Sequence, residues 1–135
     1  MHMKECGVSY YAEGGDYIEE AKKSARSVKI VHPELNITLH SNNVVESEYF
    51  DNIKIIPKME DPFLTRIKCM KNPPYKKTLY LDTDTYVCAS IMDIFDMLGR
   101  FDIALPYASV RVSNYSGFKS SLPPSFPEFN GGVIA

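Results

Sequence analysis

The sequence predicts an α/β protein with a mostly parallel β-sheet flanked by helices on both faces. Three observations carry that expectation. Short apolar runs alternate with segments of helical period. One run, Thr78-Leu79-Tyr80-Leu81, is apolar or β-prone throughout, as a central parallel strand covered on both faces must be. The segments between the runs open on capping residues and close on prolines or glycines. At 135 residues the chain suits one core, so residues 1–135 are expected to form a single domain.

Taken in order, Val8, Tyr10 and Ala12 suggest a first strand, and Gly14-Gly15 turns the chain into a helix. Asp16 is the expected cap, with Glu19 completing a capping box. Ile18, Ala21, Ala25 and Val28 then recur at helical spacing until Pro33. Ile37 and Leu39 mark a second strand, and Ile53-Lys54-Ile55-Ile56 before Pro57 a third. Asp61-Pro62 caps a second helix, whose face is read from Phe63, Ile67 and Met70; Arg66 falls off or on the border of that stripe. After the central strand, Asp82 and Asp84 end the apolar run. Ser90 with Asp93 opens a third helix, carried by Ile91, Ile94, Phe95 and Leu98 and closed by Gly99. Ile103-Ala104-Leu105 reads as a strand, 107–128 as a long loop, and 132–135 as the start of a last strand.

Bulk properties exclude several function classes. Hydrophobic residues make up 44% and charged residues 24%, and no apolar run approaches the roughly 20 residues of a membrane span. A net charge of −2 with scattered Lys and Arg gives no basic stripe for nucleic acid. Cys6, Cys69 and Cys88 form no paired framework and no Cys-x-x-Cys, so reduced, packed thiols are expected. The start of the chain runs into Lys4 and Glu5 without a signal-peptide pattern, which points to the cytoplasm. Asn36-Ile37-Thr38 and Asn114-Tyr115-Ser116 match the glycosylation pattern and are taken as chance. His32 and His40 are expected to be structural or exposed, and His2 to be disordered.

The chemistry concentrates in Asp82-Thr83-Asp84. Ligands of open α/β sheets bind beyond the carboxyl ends of the strands, where these residues fall. Alternation along an extended strand end would aim both carboxylates to one side. Two hard oxygen donors there suit Mg2+ or Mn2+ and leave positions for phosphate oxygens.

The segments Thr65-Arg66-Ile67-Lys68-Cys69, Leu79-Tyr80-Leu81-Asp82-Thr83-Asp84-Thr85, Ile94-Phe95-Asp96 and Phe129-Asn130-Gly131-Gly132-Val133 resemble glycogenin and related nucleotide-diphospho-sugar transferases of the GT-A fold in order and approximate spacing. The likeness is strongest from Thr65 through Ile94 and again at Phe129, while the first fifty residues match in pattern only. It implies a glycosyltransferase that moves a sugar from a nucleoside diphosphate sugar, with uridine as the base, to a hydroxyl acceptor. Asp82 and Asp84 resemble the metal-binding Asp-x-Asp motif, and the second carboxylate is implied to be the closer ligand. Arg66 resembles the basic residue that reaches the acidic motif and the donor. Asn130 resembles the asparagine on the donor sugar, with Gly131 and Gly132 allowing close backbone approach. Ala12 and Tyr17 resemble positions that cradle the nucleobase, a role Tyr10 or Tyr11 could also fill. The family usually adds a further metal ligand and acceptor-binding residues after the Asn-Gly-Gly strand, so the acceptor part is expected to be missing and catalysis poor.

Two alternatives stand beside this reading. Asp82 followed by Asp84 also fits the opening motif of haloacid-dehalogenase-like phosphatases, with Asp82 as nucleophile and Asp84 as general acid, although that motif belongs on a first strand. The third possibility is a non-catalytic domain that binds a nucleotide or a partner protein.

Overall fold

The computed structural model describes residues 5–109, 123 and 125–135. His2, Lys4, the Asn114-Tyr115-Ser116 pattern and most of the 107–128 stretch lie outside the described residues. Five strands and three helices follow one another as β1 (Cys6–Tyr11), α1 (Gly15–Val31), β2 (Asn36–Ser41), β3 (Asn52–Ile55), α2 (Pro62–Lys71), β4 (Lys77–Leu81), α3 (Met92–Met97) and β5 (Val133–Ile134). They form one sheet in the order β3-β2-β1-β4-β5. The first three pairings are parallel, and β5 runs antiparallel beside β4.

The crossover through α1 moves from β1 toward one edge, and the crossover through α2 returns from β3 to the other side of β1. Right-handed connections running in opposite directions put their helices on opposite faces. The packing agrees. Ile18, Ala21, Ala25 and Val28 of α1 bury against Val8, Tyr10, Ile37, Leu39, Leu79 and Leu81, with Phe95 completing that core. On the other face, Tyr11, Cys69 and Tyr80 form a smaller cluster under α2. Fully buried aliphatic side chains such as Val8, Leu39 and Leu79 each contribute about 1.5–3 kcal/mol of transfer free energy.

Several local expectations are corrected. Gly14, at φ 85°, caps α1 through its backbone, because only glycine adopts that conformation freely. Asp16 therefore sits inside the first turn, where the helix dipole favours it, and Glu19 pairs forward with Lys22 at 2.7 Å. Asp61 caps α2 as expected, accepting from the Phe63 N–H at 2.8 Å. The buried face of α2 is Thr65 and Cys69, however, while Phe63 and Ile67 are exposed. Of the expected stripe only Met70 packs against the sheet, beside Tyr11, Cys69 and Tyr80, while Phe63 lines an open cleft. Gly99 does not adopt a left-handed cap. Residues 103–105 form no strand; Ala104 alone exchanges two backbone hydrogen bonds with Ala135, at 2.8 and 3.0 Å. Asn36-Ile37-Thr38 opens interior strand β2, with Asn36 half-buried and Ile37 and Thr38 buried.

Cys6 and Cys69 are buried and packed as expected, whereas Cys88 is exposed. Both described histidines are structural. The His32 Nε2 accepts from the Ile91 N–H at 3.1 Å. His40 is buried, and its Nδ1 lies 3.2 Å from the Tyr10 carbonyl and 3.3 Å from Ser9 Oγ. Burial pushes the His40 pKa down, so the unfolded chain takes up the proton first. The stability this supplies is complete above the ordinary imidazole value and declines as pH falls through it toward the lower folded value. Urea unfolding between about pH 7 and about pH 5 should show that decline, and His40→Gln should flatten it. An unchanged slope in the variant would assign the proton uptake to another group.

Candidate functional site

Sheet order reverses direction at β1, whose neighbours β2 and β4 lie on opposite sides, so a crevice opens beyond the carboxyl ends of β1 and β4. A cleft of about 670 Å³ occupies it, lined at the end of β1 by Tyr11, Ala12 and Glu13 and from α1 by Tyr17 and Glu20. Asp61, Phe63 and Arg66 of the α2 region form the opposite wall, and Tyr80, Asp82, Thr83 and Asp84 the β4 side.

Asp82 follows the last residue of β4, and its carboxylate meets Arg66 Nη1 at 3.0 Å. Arg66 Nη2 donates to the Gly131 carbonyl at 2.7 Å. The guanidinium stands 5.6 Å from the Phe63 ring centroid and 5.3 Å from that of Tyr80, contacts that hold a planar cation in place. Arg66 thus ties α2 to the acidic motif and to the approach to β5. Burial raises the Asp82 carboxyl above the ordinary carboxylate value, the guanidinium draws it back down, and the Asp84 charge lifts it again, the balance being upward.

Asp84 reaches the same cleft by a route other than the one expected. Thr85 N–H donates to the Asp82 carbonyl at 3.3 Å, closing a turn, so the two carboxylates are brought together by a bend and not by strand alternation. The turn is braced twice. Thr85 Oγ1 donates to the Asp82 carbonyl at 2.7 Å and is linked through Ser24 Oγ, at 2.8 Å, to Tyr10 Oη. Thr83 Oγ1 donates to Glu20 Oε2 at 2.9 Å, fastening the turn to α1.

Asn130, Gly131 and Gly132 stand beside Asp82 on the β5 side, outside the residues that line the cleft. Gly132 accepts from the Asp82 N–H at 2.8 Å, and its own N–H donates to Asn130 Oδ1 at 2.7 Å. A Cβ on Gly132 would stand 3.0 Å from that Oδ1 and 3.1 Å from Asp82 Oδ2, so only glycine permits this approach without displacing one of them. Pro106 O accepts from Asn130 N–H at 2.9 Å, and Tyr107 stacks on Phe129, which anchors the segment.

Of the base-cradling candidates, Ala12 is buried and Tyr17 exposed, both on the cleft. Tyr10 is excluded, since it points into the α1 core and bonds Ser24; Tyr11 lines the cleft. Sequence reasoning missed Glu13 and Glu20. The signal was present, since Glu13 alternates with Tyr11 and Glu20 follows Tyr17 by about one helical turn. Glu13, Glu20, Asp61, Asp82 and Asp84 face a single guanidinium across the cleft, an environment that favours a cation. Among the described residues, no three histidine, cysteine or carboxylate side chains converge as a complete metal cage. A cation held here would take the rest of its coordination shell from a ligand or water.

Sheet, crossovers and cleft define the GT-A fold of the glycosyltransferases. Two solved glycosyltransferases show the likeness. The galactosyltransferase LgtC, crystallised with donor and acceptor sugar analogs, aligns with 95% of this chain at 22% identity and a TM-score of 0.67. The glycosyltransferase GlyE of Streptococcus pneumoniae TIGR4 aligns with 97% at 21% identity and a TM-score of 0.64. The alignments span 56% of the LgtC chain and 33% of the GlyE chain. No protein-family model and no curated protein matches the sequence. No helix of the described residues is long and apolar enough to cross a membrane.

Proposed function

We propose that this chain binds a nucleoside diphosphate sugar, with uridine as the base by family resemblance, and serves transfer of the sugar to a hydroxyl acceptor. The observation that carries the reading is the Asp82-to-Thr85 turn, which sets two carboxylates on the rim of an acidic cleft at the switch point of a GT-A sheet. The residues suit a hard divalent cation, Mn2+ or Mg2+, held by Asp82 and Asp84 with positions left for diphosphate oxygens. Such a cation supplies Lewis-acid neutralisation of a departing nucleoside diphosphate.

The remaining roles rest on the family resemblance, supported by where each side chain stands. Arg66, already fixed between Asp82 and the Gly131 carbonyl, supports the acidic pair and presents its remaining N–H groups to phosphate. Asn130 keeps its amide donors for sugar hydroxyls, since its oxygen is used by Gly132. Gly131 and Gly132 let the backbone approach the donor, and Ala12 and Tyr17 flank the base. The phosphatase alternative places Asp82 on a first strand, whereas here it ends β4.

Thermal unfolding with a panel of nucleoside diphosphate sugars, with and without Mn2+, tests the reading. Nucleotide and metal together should raise the melting temperature, because a ligand present at about 100 times its Kd adds about 2.7 kcal/mol to folded-state stability. A melting temperature unmoved by every combination would refute donor binding.

A further inference from the structure

Three side chains of α1 grip one short stretch of chain after β4. Glu20, Ser24 and Ser27 share one face of the helix, and their partners are the alternate residues Thr83, Thr85 and Val87. Exposure follows the same alternation. Thr83 and Thr85 are half-buried and Val87 is buried, whereas Asp84 and Tyr86 between them are exposed. The face of α1 that meets the acidic turn is thus polar, beside the face of Ile18, Ala21, Ala25 and Val28 that packs on the sheet.

The hydroxyls of this face form a chain with one direction. Thr85 gives its single proton to the Asp82 carbonyl at 2.7 Å, so the 2.8 Å bond between Thr85 and Ser24 is donated by Ser24. Ser24 then has no proton left, and its 2.7 Å bond to Tyr10 is donated by the phenol. Burial pushes the Tyr10 phenol upward, so it keeps the proton that the chain needs. Tyr10 and Ser24 are fully buried, and hydrogen bonds in series strengthen one another where water is excluded. Three hydroxyls therefore end on the carbonyl that closes the acidic turn, and Glu20 holds the same turn through Thr83, the residue between the two carboxylates, at 2.9 Å.

These bonds fix what the carboxylates do not fix for themselves. Asp82 is held by Arg66, whereas Asp84 is exposed, and its distance from Asp82 depends on the backbone of the turn. A cation chelated by both binds more tightly when that distance is set in advance, because the turn then loses less conformational freedom on binding.

We propose that Glu20, Ser24, Thr83 and Thr85 are positioning residues that hold the Asp82-to-Thr85 turn in its cation-binding shape before the cation arrives. The proposal rests on the cation-binding reading above and assigns a role to four side chains to which that reading gives none.

Calorimetric titration with UDP, in Mn2+ and again in EDTA, tests the assignment, with the melting temperature of each variant measured alongside. Thr85→Val keeps the shape of the side chain and removes the hydroxyl. Its affinity for UDP in Mn2+ should fall about tenfold, its behaviour in EDTA should match that of the native chain, and Thr85→Ser should restore most of the loss. Thr83→Val, at the half-buried rim where folding is least at risk, should lower the affinity in Mn2+ about three- to tenfold with the same indifference in EDTA. Ser27→Ala is the contrast: it breaks the 2.9 Å bond from the Val87 N–H, beyond the turn, and should lower the melting temperature without changing what Mn2+ adds to UDP affinity. Native affinity in Mn2+ for both valine variants, an equal loss with and without Mn2+, or a like loss in Ser27→Ala reduces these contacts to ordinary packing and overturns the positioning role while donor binding stands. Failure of the native chain to bind UDP under either condition overturns donor binding and the positioning role with it.

Discussion

Asp84→Ala is expected to abolish the joint stabilisation by Mn2+ and a sugar nucleotide and to leave the melting temperature of the protein alone unchanged or slightly higher. The asymmetry follows from where the carboxylate sits. Asp84 is exposed on the turn, and its charge lifts the Asp82 pKa, so it adds repulsion to the folded protein. Its removal leaves no buried group unpaired. A cation held by two carboxylates loses half its protein ligands in the variant, and affinity for the metal-nucleotide pair should fall by about 100-fold or more. Asp84→Asn, with a neutral oxygen in the same place, should recover only a small part. Native-like stabilisation of Asp84→Ala by Mn2+ and nucleotide would place the binding elsewhere on the protein.

Arg66→Ala is expected to cost both stability and donor affinity. The guanidinium is the one protein cation among the residues that line the cleft; it bonds the Asp82 carboxylate and the Gly131 carbonyl together, and both partners are partly shielded from water. Its loss leaves an acid raised by burial without the group that draws it down. Hydrogen bonds to charged groups contribute about 1.5–3 kcal/mol, so urea unfolding should show a loss of that order. For a domain of this size each kcal/mol corresponds to roughly 4 °C in melting temperature. Arg66→Lys should restore less than half, since a single ammonium cannot reproduce the fork that spans α2, Asp82 and the segment before β5. A change within about 0.5 kcal/mol in Arg66→Ala would reduce the residue to a surface arginine.

Most of the sheet was legible because local pattern and tertiary demand coincide there. Thr78 to Leu81 reads as a central strand because both of its faces are covered, and burial on both sides requires the apolar run that the sequence displays. The Asp61-Pro62 cap held because one side chain and one neighbouring N–H decide it. The cap of α1 was misread because Asp16 satisfies the capping pattern, yet the chain turns two residues earlier, at Gly14. The face of α2 was misread because apolar spacing gives a period without saying which side of the helix meets protein. Phe63 lines an open cleft and Ile67 is exposed, while Thr65 and Cys69 are buried.

The site divides along the same line. Short-range chemistry settled on its own that an acidic triplet ends a buried strand, that a glycine pair follows Asn130, and that strands alternate with helices, since each needs only neighbours within one turn or one strand. Contacts between residues far apart in the chain settled the rest. Arg66 meets Gly131 across sixty-five positions, Thr83 meets Glu20 across sixty-three, and Tyr11 is buried only once α2 brings Cys69 over the end of β1. Periodicity fixes which face of an element is apolar, but the partner across a cleft depends on how crossovers fold the sheet, and that information is spread over the whole chain.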